Sequence, residues 1–461
     1  MPAREQTIRG LTGTRTKGRA VRKKEVATTP SVTRNFSWSF CGNFVYAVCQ
    51  FGMLMALAKI GAPEMVGQFA IGLAVTTPVM AFANLKARGI QASDARREYR
   101  FSEYLLLTLI MSGIGLLVIA STALAGGFHR ETALVILLIG VGKALDVISD
   151  TYYGRYQQYE QMDRIAKPLM FNGVLSLAAL ALGVYVTGSL IVGAAGWAAA
   201  KALTLALFNL RGQAVSPEEC GPARLDGEYQ RPRANGSRKR GRPLARAMSL
   251  AWLILPLCFT AMLLELKANT PRYFIERWLG EQELGLFAAM AFLMLPGTSV
   301  GVAALSQAAG PRLARYYAQG DVRSYLALLL RLVGIGLLGG LVAVLVVLFA
   351  GRAVMTVLYS REYAEHGSVL LLVAIEAGLG FVSSLMLCGM TSARFFRPQA
   401  PLTAATVAVT VVGCLWLVGY AGQGLPGAAL ASVLAALFQL FGSVVIIILA
   451  VRDVRPPATP A

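Results

Sequence analysis

Charge is scarce in this chain. Only 15% of its 461 residues are charged and 56% are hydrophobic, where a soluble domain carries roughly a quarter charged residues. The mean hydropathy is +0.58, and so much apolar surface excludes a soluble enzyme. Histidine is nearly missing, with His129 and His366 the whole supply. The six cysteines form no CxxC and no Cys/His cluster, so neither a zinc site nor a disulfide framework is indicated. Cys41, Cys49, Cys258, Cys388 and Cys414 fall in apolar runs and read as small buried hydrophobes, while Cys220 lies in a polar loop. Barrel-type alternation is also lacking, which excludes an outer-membrane barrel. Acidic residues are few, 24 against 43 Lys and Arg, for a net charge of +19.

The chain does have long apolar runs. They fall at about 36–58, 66–86, 104–125, 132–153, 168–187, 189–210, 248–274, 284–306, 325–350, 367–391, 399–420 and 426–450. Each is long enough to cross about 30 Å of hydrocarbon as a helix. The fold class expected is an all-α polytopic membrane protein with about 12 transmembrane helices. Residues 211–247, rich in Arg, Pro and Gly, divide the runs six and six. The organisation expected is therefore a basic disordered tail at 1–35, a six-helix lobe at 36–210, a linker at 211–247, a second lobe at 248–450 and a tail at 451–461. No cleavable signal peptide is visible, because the first 35 residues are basic and lack an apolar core.

Basic residues sort by side. With the N-terminus inside, segments assigned to the cytoplasm hold 33 of the 43 Lys and Arg. The opposite connections hold six: Lys59, Arg130, Arg272, Arg277, Arg352 and Arg361. This asymmetry places both termini in the cytoplasm and offers the basic segments to anionic lipid headgroups. The charge therefore gives no reason to expect a nucleic-acid partner.

The halves carry a faint repeat. Gly67-Gln68-Phe69-Ala70 returns in the second half as Gly285-Leu286-Phe287-Ala288, and at the same offset Pro78 meets Pro296. Both stretches run on into a basic loop, with Arg96 and Arg97 in one and Arg312 and Arg315 in the other. Six helices per unit make the repeats parallel, related by an axis along the membrane normal. The two prolines read as hinges or tolerated kinks.

Several spellings of chemistry do not hold. Gly297-Thr298-Ser299-Val300-Gly301 matches a nucleophile elbow, but it sits in an apolar helix and reads as small residues for close packing. Gly142-Lys143 lacks the other P-loop glycine and is followed by Ala144 where the motif has Ser or Thr. Arg240-Gly241-Arg242-Pro243 and Asn235-Gly236-Ser237 lie in the cytoplasmic linker and read as a solvated basic segment.

Charges inside spans are the informative residues. One ionised side chain near the bilayer centre costs about 2.5–3.5 kcal/mol, so it needs a partner or a hydrated cavity. Lys143, Asp146 and Asp150 share a face of span four. Lys201 lies in span six, Glu265 and Lys267 in span seven, and Glu376 alone in span ten. Asn43 and Gln50 share a face of span one. Lys143 with Asp146 is the simplest structural ion pair. Lys201 has no carboxylate in its own span, so a hydrated cavity for an anionic ligand is the alternative. Arg331 can snorkel and takes no role. The candidate ligand-binding residues are Lys143, Lys201, Lys267, Asn43 and Gln50. Asp146, Asp150, Glu265 and Glu376 are candidates to take up H⁺ or Na⁺. No other cofactor, metal or catalytic residue is indicated.

The stretch Gln68–Glu103, QFAIGLAVTTPVMAFANLKARGIQASDARREYRFSE, resembles span two and the following loop of bacterial polysaccharide (Wzx-type) flippases. So do PRYFIERWLGEQELGLFAA at 271–289, PRLARYYAQGD at 311–321, QYEQMDRIAKPLMFNG at 158–173 and TSARFFRPQ at 391–399. The resemblance covers most of the chain outside its two basic polar segments. It implies the fold of the multidrug/oligosaccharidyl-lipid/polysaccharide (MOP) superfamily, two six-helix lobes in a V around an alternating cavity. It also implies a lipid-linked oligosaccharide as ligand, a bacterial inner membrane and contact with polysaccharide polymerase or synthase proteins. The typically cationic cavity of that branch matches Lys143 and Lys201 in kind, and the family has no strict catalytic motif to carry over. Twelve spans rather than fourteen set the chain apart from the lipid II branch. The alternatives are a cation-coupled drug or metabolite antiporter of the same superfamily and, in another class, a membrane glycosyltransferase or ligase. An antiporter for cations would need an acidic first lobe. A transferase would need acidic motifs or a large domain outside the membrane, and no non-cytoplasmic loop has the room.

Overall fold

The structure is a computed structural model, described here for residues 32–452 apart from 86–87, 89–90, 92–98, 100, 160, 211–242, 360, 394 and 396. The terminal tails and nearly all of the linker expected from the sequence thus lie outside the described residues. Twelve long helices follow one another: α1 Val32–Ile60, α2 Pro63–Ala83, α3 Phe101–Ala125, α4 Arg130–Gln158, α5 Asp163–Thr187, α6 Leu190–Thr204, α7 Pro243–Leu279, α8 Glu281–Ala318, α9 Val322–Leu358, α10 Gly367–Ser392, α11 Gln399–Cys414 and α12 Gly424–Arg452. α6 and α11 each continue in a π-helical turn, Leu205–Leu210 and Leu415–Tyr420. Ten of these helices are long and apolar enough to cross a membrane. The other two expected spans fall on α7 and α8, the first of which carries Glu265, Lys267, Arg272, Glu276 and Arg277 along its second half.

Local chemistry sets the helix ends. Pro63 occupies the first turn of α2, where its missing N–H costs nothing. Gly188 closes α5 at φ +64, and its N–H bonds the Val184 carbonyl at 2.8 Å. Gly280 takes φ +91, which lets α7 turn into α8 across one residue.

The halves repeat their packing. In the first, α1 lies on α5, α2 on α4, α3 on α4 and α5 on α6. In the second, α7 lies on α11, α8 on α10, α9 on α10 and α11 on α12. The lobes meet chiefly through α2 against α7 and α8, with α3 also on α7 and α1 on α8. The short connections at 61–62, 126–129, 188–189 and 280 lie at one end of the bundle, the sparse end; the helix ends at 83, 101, 210 and 243, which flank basic stretches of sequence, lie at the other, the basic end.

The core differs between the two ends. Its largest cluster runs through both lobes, joining Val66, Phe69, Ile139 and Trp197 to Leu286, Met290, Tyr363 and Leu425. Toward the basic end it divides. Tyr152, Tyr156, Ile165 and Leu205 make a cluster within the first lobe, and Leu313, Tyr325, Leu385 and Met390 make one within the second. A small bridge of Cys258 with Leu85, Tyr104 and Leu107 connects them. The apolar core thus runs broadly across both lobes at the sparse end and narrows to a small inter-lobe cluster at the basic end. Bulky apolar side chains on the outer faces, such as Leu117, Leu338 and Phe349, are exposed, as lipid-facing positions should be. Among the cysteines, Cys49, Cys258 and Cys414 are buried as expected, whereas Cys41 is exposed.

Candidate substrate cavity

Asp146 of α4 takes Lys201 of α6, not its own-helix neighbour Lys143. The Lys201 ammonium donates to both carboxylate oxygens at 2.7 Å and lies 4.3 Å from the centre of the Trp197 ring. Its side chain is only 2% exposed. The expected Lys143–Asp146 pair is thereby replaced by one between helices, because α4 and α6 pack face to face. Trp197 sets the spacing: its ring fills the notch at Gly142, where any Cβ would overlap it.

Lys143 is left between charges. Among the described residues it makes no hydrogen bond or ion pair, but it lies within electrostatic reach of Asp146 and Lys201 in its own lobe and of Glu265 in the other. It is the first-lobe cation that looks across the seam. Asp150, one turn beyond Asp146, is held at the basic end: Asn84 donates to it at 3.0 Å and Arg88 stands 3.7 Å away. Arg88 also donates to Gln157 at 2.9 Å. Gln50 bonds the Tyr46 hydroxyl, which faces Asp146 and Asp150. Asn43 turns instead to the Ser39 carbonyl of its own helix and is exposed, so the structure does not bring it to Gln50.

The second lobe holds its own polar cavity, of about 180 Å³, among α7, α8, α10, α11 and α12. Lys267, Arg272, Glu376, Ser383 and Gln439 line it. Lys267 donates to the Gln439 side-chain oxygen. Arg272, assigned from the sequence to a connection, stands within α7 and is a correction to that assignment. One guanidinium nitrogen donates to Asn269 at 2.7 Å, the group stacks 5.1 Å from the Phe292 ring, and Nε is buried without a partner among the described residues. The Ser383 hydroxyl is likewise buried and unpartnered among them. Glu376 feels both Lys267 and Arg272. Glu265 lies on α7 toward the first lobe, where it acts on both Lys143 and Arg272. The arrangement can hold an anionic group through Lys267 and Arg272 while Glu376 limits their net charge.

Pro78 and Pro296 lie within α2 and α8, both of which continue through them. The Gly297–Gly301 stretch is helical, as expected, but only part of it packs closely. Gly301 abuts the Phe381 ring, while Gly297 has open space beside it among the described residues and lines an apolar cavity of about 360 Å³ between α8, α9 and α10. No group of three or more metal-ligating side chains occurs among the described residues.

The repeated six-helix arrangement defines a multi-pass membrane protein with the fold of MOP-superfamily transporters. An inward-facing multidrug-resistance MATE family transporter of that superfamily superposes with a TM-score of 0.69 at 14% identity, over 90% of this chain and 100% of the other. The lipid II flippase MurJ in an inward closed conformation superposes with a TM-score of 0.68 at 9% identity, over 91% and 90%. In sequence, the capsular polysaccharide biosynthesis protein CapF of Staphylococcus aureus is 27% identical over 360 residues, 78% of this chain and 85% of that protein. No family model matches the chain. The fold that the resemblance implies is borne out by these structural neighbours.

Proposed function

We propose that this protein is a flippase that carries an undecaprenyl-diphosphate-linked oligosaccharide from the cytoplasmic to the periplasmic leaflet of a bacterial inner membrane, by alternating access. The observation that carries the proposal is the divided core. Apolar packing joins the lobes broadly at the sparse end, while at the basic end each lobe has its own cluster and a small one around Cys258 spans them. Lys143 in the first lobe and Arg272 in the second both lie within electrostatic reach of Glu265. The capsular relative and the transporter fold support a polysaccharide precursor as cargo.

In this reading the basic end faces the cytoplasm, as the positive-inside asymmetry favours. The headgroup enters there, and its diphosphate meets Lys143 from one lobe and Lys267 and Arg272 from the other. Guanidinium suits this task because its planar donors match phosphate oxygens in pairs. Lys201, already bound by Asp146, positions Trp197 and α4 rather than gripping the cargo. The polyprenyl chain stays in lipid. Asp150, Glu265 and Glu376 are the carboxylates available to exchange H⁺ or Na⁺ as the faces alternate. Anionic lipids at the basic loops and polysaccharide-assembling enzymes are the partners this role implies.

Depletion of the protein in its native host tests the reading. Polyprenyl-diphosphate oligosaccharide should accumulate on the cytoplasmic face while surface glycan is lost. An unchanged lipid-linked pool together with new sensitivity to cationic drugs would favour an antiporter of the same superfamily instead.

A further inference from the structure

Glu281 opens α8 in the second lobe, and among the described residues the hydrogen-bonding and ion-pairing partners of its side chain belong to the first lobe. Oε2 accepts from the Gln68 amide of α2 at 2.9 Å. Oε1 accepts from the Thr132 hydroxyl of α4. His129, just before α4, holds Nδ1 at 3.9 Å from the same oxygen and is 89% exposed toward solvent. The carboxylate itself is only 16% exposed. Its backbone is engaged as well, for the Glu281 carbonyl lies directly on Gly67.

The equivalent position in the first lobe, at the offset that relates Gly67 to Gly285, is Pro63, whose side chain offers no polar group. Of this related pair, Glu281 alone carries a polar side chain. Of the other charged groups nearby, Glu276 on α7 lies within electrostatic reach of Glu281, and Arg277 and His129 act in turn on Glu276. Among the described residues, none of these bridges to α2.

We infer that Glu281 is the latch that holds the sparse end of the two lobes shut, through hydrogen bonds that its negative charge strengthens. Hydrogen bonds to an ionised acceptor are stronger than neutral ones, and a buried carboxylate that loses its donors must find water before the lobes can part. Removing the charge weakens both donors at once, and removing the side chain releases α2 and α4 together.

The inference rests on the proposed alternation of faces, and it is tested on conformation alone. Spin labels at Val186→Cys on α5 and Tyr420→Cys after α11, both exposed at the sparse end, would be placed in a background whose six native cysteines are replaced by serine. Distances would be read by double electron–electron resonance in lipid nanodiscs. The unmodified latch should give one short population, E281Q should add a longer one, and E281A should make the longer one dominant. Gln68→Leu with Thr132→Val, which leaves the carboxylate in place, should act in the same direction, so the test survives if E281A folds poorly. One unchanged short population in E281Q and in the Gln68/Thr132 pair would overturn the latch. Failure of the flippase reading would instead appear as absent lipid translocation, whatever the label distances show.

Discussion

Gly67 and Gly285 occupy the same position of the two repeats, and each lies against the backbone of the other's helix. Gly67 of α2 is covered by the Glu281 carbonyl of α8, and Gly285 of α8 by the Pro63 carbonyl of α2. Pro63 and Glu281 are related by the same offset as the two glycines, so the contact is reciprocal. It is the point where the pseudo-symmetry of the sequence becomes a joint between lobes. Small residues let two helix backbones approach this closely, and in a membrane such van der Waals contact largely takes the place of the hydrophobic drive.

A methyl group at either glycine has no room. Gly67→Ala or Gly285→Ala should therefore force the sparse ends apart and shift the Val186–Tyr420 distance in the same direction as a broken latch. Because backbone stands on the other side, no rotamer change relieves the clash. Label distances in the two single variants check this, and equal shifts are expected from the symmetry of the joint.

The Lys201–Asp146 pair should behave as a buried ion pair. Losing one partner leaves a charge stranded beside Trp197, which costs on the order of 3–5 kcal/mol. Lys201→Met and Asp146→Asn should each lower the unfolding temperature in detergent, and the double variant should recover most of the loss. That ordering follows because an uncharged pair has nothing left to strand. Equal losses in singles and double would mean that Lys201 contributes by packing alone.

The second-lobe cations should separate from this behaviour. Lys267→Gln and Arg272→Gln remove charge at a cavity that retains its polar lining. Each should reduce translocation at least tenfold if it contributes about 1.4 kcal/mol or more to diphosphate binding, while the amount of folded protein stays near that of the unsubstituted chain. Glu376→Gln should instead alter the dependence of transport on the ion gradient. Uptake into vesicles with and without an imposed proton or sodium gradient distinguishes the two effects.

Much of the architecture was legible from pattern. Twelve apolar runs gave the helices, and the repeat at 67–70 and 285–288 gave the two halves. Pairings between spans were not legible, because hydropathy reports depth and says little about which face meets which neighbour. Thus the i, i+3 spacing matches Asp146 to Lys143, while its actual partner Lys201 lies 55 residues on, in α6. Arg272 was hidden for a related reason. A cation near the end of an apolar run gives no sign of what it lines, and only the packing of α7 brings it beside Phe292 and within reach of Glu376. Glu281 gave no signal at all, since one carboxylate at a helix start is ordinary until its partners are seen.

Translocation by the purified protein tests the central claim most directly. Vesicles carrying a polyprenyl-diphosphate oligosaccharide would be treated from outside with a glycosidase that cannot cross the bilayer. The account predicts that vesicles with the protein expose the whole pool to cleavage, while protein-free vesicles protect about half, and that Lys267→Gln or Arg272→Gln restores much of the protection. Equal protection with and without folded protein, under either ion gradient, would contradict it.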